Sequence, residues 1–316
     1  MSFYFFFNIN FAQNYKKMFK LLSKEQNIFS IPTYISFLLL GLIVFNVLKF
    51  NEISVLSSIV VLIGMALGYF AINSLDLNQN TRVPLFLYTI INICLYQNTD
   101  IGVAWTVLTN AILVILLSNG SESRNKHIYV LIGALLALNF IFLPTIWLMP
   151  IFFILHIFGT SKNITLNIFR LCLGVTLVAI AYFSVAYFSG LNTWDTAYLP
   201  CITSEYSGVG ERLIPLVPVV LFCIYAIFDY FARYNKMSTH KRFKYAFLLL
   251  FVFVQLMMIV FYMGEDVSYL LIIALPVSII ISRALYYLPK PMYKEISIWL
   301  IVISLIAYRA YQFINF

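Results

Sequence analysis

Long runs of residues with almost no polar face constrain this chain more than any other feature. SVLSSIVVLIGMALGYF (54–70) and FLLLFVFVQLMMIVF (247–261) are apolar on nearly every side of a helical projection. Runs of this kind recur at lengths of about 14 to 22 residues. At 1.5 Å per residue they suit a hydrocarbon core ~30 Å thick. Inside lipid the backbone must satisfy its own N–H and C=O groups, which leaves helices or a closed barrel. A barrel would read as ~10-residue segments alternating apolar and polar, and these runs do not alternate. The expected fold is therefore all-α, a polytopic transmembrane helical bundle. Charged residues make up 10% of the chain, whereas a soluble domain carries roughly a quarter.

About eleven spans are expected, near 31–49, 53–72, 83–97, 101–118, 128–143, 145–158, 167–188, 213–231, 245–263, 267–285 and 296–314. Basic residues then set the sidedness, because short loops rich in Lys and Arg stay in the cytoplasm. With the N-terminus cytoplasmic, only Lys49, Arg212 and Arg309 of the 20 basic residues fall outside. The polar stretch Ser189–Arg212 is then external, and so is the Gly264-Glu265-Asp266 turn. Residues 128–158, with Pro144 and Pro150 between them, start and finish inside. Two short spans and a re-entrant hairpin both fit that length.

Residues 1–30 are expected to form a cytoplasmic N-terminal segment, and 31–316 a single transmembrane domain with the external loop 189–212. In the first segment Lys16, Lys17, Lys20 and Lys24 alternate with Phe19, Leu21, Leu22 and Ile28. That pattern suits a basic amphipathic segment on an anionic leaflet, and a frayed tail fits it equally. A start at Met1 and a start at Met18 are both open. No cleavable secretory signal is read there, because the aromatic cluster precedes the lysines.

The net charge of +8 follows from the cytoplasmic loops, so nucleic acid is not an expected partner. Cys94, Cys172, Cys201 and Cys223 form no CxxC, and no histidine pairs at helical spacing with another ligand. Neither a metal nor a cofactor is expected. No Asp, Glu, Lys or Arg sits near the middle of a span, which weakens an ion-coupled transport reading. Asn92, Asn110, Asn139 and Gln255 remain, either lining a polar path or bonding between helices. Gly64 with Gly68, and Gly133 with Ala137, are small-residue steps that allow close helix approach.

Candidate chemistry therefore gathers in the external loop. Asp195 and Glu211 are the candidate catalytic carboxylates, as general base or divalent-metal ligand. Arg212 is the candidate phosphate clamp, and Trp194 and Tyr198 are candidate platforms for a sugar ring. The plain alternative is that acids collect outside because bases are retained inside.

Three stretches carry a resemblance: MFKLLSKEQNIFSIP (18–32), TNAILVILLSNGSESRNKHIYVLIGALLALNFIFLPTIWLMPIFFILHIFG (109–159) and YLLIIALPVSIIISRALYYLPKPMYKEISIWLIVISLIAY (269–308). Together they resemble an uncharacterised family of multi-span bacterial inner-membrane proteins. The resemblance implies an inner-membrane, multi-pass location and no particular activity. A looser similarity is to glycosyltransferases that use lipid-linked sugars at external active sites. Those enzymes carry a catalytic acid in a sizeable first external loop, which here is only Phe50-Asn51-Glu52, so a site in 189–212 would be laid out differently. Three functions stay open: a component of cell-envelope biogenesis handling a lipid-linked or glycan substrate externally, a membrane scaffold or complex subunit, and a transporter. The expected partners are the bilayer, a lipid-linked substrate and a membrane protein.

Overall fold

The computed structural model describes residues 21–24, 29–46, 52–75, 77, 81–97, 100–118, 127–190 and 209–314. Among them the chain forms eleven α-helices of 12 residues or more and no strand. They are α1 (Ser30–Asn46), α2 (Glu52–Leu75), α3 (Val83–Leu95), α4 (Ile101–Ser118), α5 (Ile128–Phe142) and α6 (Met149–Thr160). There follow α7 (Ile164–Ser189), α8 (Val217–Arg233), α9 (Thr239–Tyr262), α10 (Ala274–Tyr287) and α11 (Pro291–Ile314). The all-α membrane bundle expected from the apolar runs is the fold observed. Seven segments are long and apolar enough to cross a bilayer, while α1, α3, α5 and α6 are shorter apolar helices.

The starts and stops follow local chemistry. Prolines fall in the first turn of α3, α6 and α8, where the missing N–H costs nothing. Asp266 accepts from Ser268 N (3.0 Å) and opens a 3-10 turn, Val267–Ile273, that leads into α10. Gly190 ends α7 at φ 65, a left-handed conformation that favours glycine. Between α5 and α6 lies a 3-10 turn, Pro144–Leu148. The Tyr129 and Ser161 hydroxyls meet at 3.1 Å, so this helical pair returns to the end of the bundle where it began.

Small residues set the closest seams. A Cβ on Gly64 would stand 2.7 Å from Leu108 N and 2.8 Å from Leu108 Cα, so α2 lies directly on the α4 backbone. Gly68, one turn on, faces the Tyr88 ring of α3 instead. The step at Gly64 and Gly68 thus serves packing within the chain. The α5–α7 seam is reciprocal: Gly133 faces the Leu171 carbonyl, and Gly174 faces the Val130 carbonyl. Gly133 thus works with Gly174 across the seam, each admitting the other helix's main chain.

Polar links pin these seams: Tyr69 to Thr89 (2.7 Å), Thr109 to Asn139 Oδ1 (2.6 Å) and Ser118 to Ser74 (2.7 Å). Of the four candidate amides, Asn139 makes the interhelical bond. Asn92, Asn110 and Gln255 are buried and make no side-chain hydrogen bond of good geometry among the described residues, Asn92 lying within reach of the Tyr88 hydroxyl. The innermost helix is α10, buried along most of its length against α3, α8 and α9. Its Ser278 and Ser282 hydroxyls donate back to Leu275 O (2.7 Å) and Ile279 O (2.8 Å), so they enter the core satisfied. By contrast, α7 and α8 are mostly exposed apolar surface.

The bundle has a basic end and an acidic end. Lys244 at the start of α9 donates to Leu75 O at the end of α2 (3.0 Å), and Arg233 ending α8 donates to Tyr287 O ending α10 (3.1 Å). At the opposite end Trp147 Nε1 donates to Tyr262 OH (2.7 Å), and the Ser58 and Tyr96 hydroxyls meet at 2.7 Å. At the basic end, Leu22 of the N-terminal segment packs into the core, and its carbonyl accepts from Arg82 N (2.9 Å). The remainder of that segment, residues 1–20 and 25–28, lies outside the described residues.

Candidate functional site

Of the loop residues proposed from sequence, Trp194, Asp195 and Tyr198 lie outside the described residues. Glu211 and Arg212 are described. Both are exposed, on a short helix (Val209–Leu213) that packs on α11 at the acidic end. A 3-10 turn, Ile214–Leu216, carries the chain on into α8, and the Ser304 hydroxyl of α11 donates to the Pro215 carbonyl within it. That contact places Arg212 beside the last turns of α11.

Those last turns hold residues that the sequence reading passed over. The buried face of α11 runs through Ile298, Ile301 and Leu305, one helical turn apart. It then turns polar: Tyr308 is fully buried, Arg309 is 9% exposed and Gln312 is 8% exposed. Arg309, one of the three basic residues expected on the external side, lies at the acidic end with its guanidinium buried in the bundle. Nη1 of Arg309 donates to Tyr96 O (2.6 Å), the carbonyl that ends α3. A helix C-terminus carries partial negative charge, and a cation there is stabilising. Arg309 also reaches Gln312 Oε1 (3.4 Å).

Two polar atoms beside it are left over. Tyr308 Oη and Gln312 Nε2 are buried and make no hydrogen bond of good geometry among the described residues. Arg212 lies within electrostatic reach of Tyr308. The acidic end therefore brings together two arginines, a phenol and a carboxamide, with Glu211 one residue from Arg212. Such a set is rich in donors and suits an anion with several oxygens, such as a phosphate. Among the described residues, no group of three or more His, Cys, Asp or Glu is placed to hold a metal. The signal that points to the α11 trio is the apolar stripe at 298, 301 and 305 continuing into polar residues at 308 and 312.

Bundle and site together define a polytopic helical membrane protein with a donor-rich polar patch at one end. The family model that matches covers residues 18–316, and the chain belongs to that family, a family of unknown function (DUF6427). No curated protein and no solved structure matches the chain.

Proposed function

We propose that this protein is a multi-pass component of the bacterial inner membrane that binds a phosphate-bearing, lipid-linked molecule at the acidic, non-cytoplasmic end, in the service of envelope biogenesis. On this reading the basic end is cytoplasmic, the eleven helices are the spans, and 31–316 is one domain. The cross-helix bonds agree with the alternation of ends, and the gathering of basic residues at one of them supports that sidedness. Arg212 and Arg309 take the phosphate, Asp195 or Glu211 is the base, and Trp194 and Tyr198 stack on a sugar. The observation that carries the proposal is the buried pair Tyr308 Oη and Gln312 Nε2, which face each other without a hydrogen bond of good geometry, beside Arg309 and within reach of Arg212. A buried polar group without a partner costs stability, so a ligand that supplies one repays it.

The test is binding of a short-chain polyprenyl phosphate to the full chain in nanodiscs. Tyr308→Phe removes a buried hydroxyl that has no well-formed bond, and Gln312→Leu removes Nε2 together with the Oε1 that Arg309 reaches at 3.4 Å. Tyr308→Phe is expected to keep or raise stability and Gln312→Leu to cost little, and each is expected to weaken binding roughly 10- to 100-fold, the worth of one hydrogen bond to a charged group. Wild-type binding in both variants and in Arg212→Gln sinks the proposal. A second reading, a non-enzymatic scaffold, is favoured by α7, where Tyr187 and Phe188 are 82% and 86% exposed. Crosslinks from α7 to a second protein, with no polyprenyl phosphate bound, would select it over the first.

A further inference from the structure

At the basic end, away from Arg212, the inner turns of α8, α9 and α10 build a cage of tyrosines around one arginine. The Tyr230 and Tyr245 rings stack with centroids 4.7 Å apart. Arg283, one turn before the end of α10, lies over Tyr245 at 4.0 Å and near Tyr230 and Tyr287 at 5.7 Å each. It is only 5% exposed. Buried guanidinium groups ordinarily face a carboxylate. The buried acid on α8, Asp229, is instead committed to Arg233, whose Nε donates to Oδ1 at 2.7 Å. Arg283 reaches the Tyr245 hydroxyl, yet its Nη1 makes no hydrogen bond of good geometry among the described residues, and Nη2 is met by the Met237 sulfur.

A thioether is a weak acceptor, and its place on the guanidinium fork is where an anionic oxygen would sit. Met237 belongs to the turn between α8 and α9. Arg242 clasps that turn through Met237 O (2.8 Å) and Asn235 O (3.0 Å). Arg233, already spread over the Tyr287 ring at 4.8 Å, borders the same corner. Lys290 and Lys294 lie over Tyr293 and Tyr286 on the adjoining turn. The cluster thus carries more positive than negative charge. Beside it on α8, Phe228 and Phe231 are exposed apolar surface of the kind that acyl chains cover.

We infer that Arg283 is the centre of a binding site for the headgroup phosphate of an anionic phospholipid, whose oxygens replace Met237 Sδ at Nη2 and satisfy Nη1. Phosphate matches the two-pronged guanidinium geometry, and basic pockets between span ends are where anionic headgroups bind. This site is separate from the one around Arg212 and does not depend on it.

The experiment is native mass spectrometry of the full chain released from mixed phosphatidylglycerol and phosphatidylcholine, with thermal stability measured in each lipid. Wild type is expected to retain phosphatidylglycerol at least ~10-fold over phosphatidylcholine, the scale of one charge-assisted pair. Arg283→Gln is expected to lose that preference. Because Arg283→Gln also removes the guanidinium packed over Tyr245 and near Tyr230, Met237→Glu is the second arm. A carboxylate tethered where the sulfur sits should satisfy Arg283 internally, lowering the phosphatidylglycerol preference at least ~5-fold while raising stability in phosphatidylcholine. Displacement by millimolar glycerol phosphate would identify the free phosphate ester as the ligand in place of the lipid. Equal retention of the two lipids by wild type, or an unchanged preference in Met237→Glu, overturns the inference.

Discussion

The α2–α4 seam gives the sharpest test of how the bundle is held together. In Gly64→Ala the new methyl would stand 2.7 Å from Leu108 N and 2.8 Å from Leu108 Cα, against an ordinary separation of about 3.5–4.0 Å. Those are main-chain atoms, so no rotamer change relieves the clash and the helices must part by about 1 Å. A gap of that size forfeits a quarter to a half of each contact's attraction. With roughly 40 heavy-atom pairs at ~0.15 kcal/mol, the seam holds about 6 kcal/mol and its opening costs about 1.5–3 kcal/mol. Replacing a helical glycine by alanine returns about 1 kcal/mol of helix propensity. The net expectation is a loss of about 0.5–2 kcal/mol for alanine, and more for Gly64→Leu. Reversible unfolding in mixed micelles, followed by tryptophan fluorescence, reads this directly. Gly68→Ala, which meets the Tyr88 side chain instead of a main chain, is expected to be the milder change at that helix face. If Gly64→Leu unfolds within ~0.5 kcal/mol of wild type, the seam is not where the packing energy lies, and the reasoning fails.

Three further outcomes are expected. Arg309→Met removes the cation that caps α3 at Tyr96 O and should cost about 1.5–3 kcal/mol, the range for a hydrogen bond to a charged group; the same micelle unfolding measures it, with faster amide exchange at the end of α3. Asn139→Leu breaks the bond from Thr109 and should cost only about 0.6 kcal/mol, at most ~1.7, because side chains in lipid find other partners when one is lost; a loss above ~3 kcal/mol would show a larger polar network at that point. With Cys201 as the sole cysteine, an impermeant maleimide should label it from the non-cytoplasmic side only, and Ser238→Cys in the same cysteine-free background should react only from the cytoplasm; the reverse pattern would invert the proposed topology.

The length and apolarity of each run are properties of neighbouring residues, so the helices could be read directly. All eleven elements fall close to their expected positions, with shifts where local chemistry intervenes. Pro215 and Pro218, for example, accompany a 3-10 turn, Ile214–Leu216, inside the expected span 213–231, so that α8 starts only at Val217. The expected residue Arg212 lies at a donor-rich patch, while Trp194, Asp195 and Tyr198 fall outside the described residues. The α11 trio was not legible, because Tyr308 and Gln312 look like ordinary residues at the end of a span until the buried stripe they continue is recognised.

What sequence alone determined, then, is the class of protein and the extent of its helices, because transfer of a residue to lipid depends on that residue and its near neighbours. Pairing was decided only in three dimensions. In lipid an apolar helix gains little by hiding one face over another, so partners are chosen by small residues that admit a neighbour's backbone and by a few polar groups. The reciprocal fit of Gly133 and Gly174, the reach of Arg309 to a carbonyl 213 residues earlier, and the tyrosine cage around Arg283 all depend on that choice. None of these is encoded in the spacing of residues along any one helix.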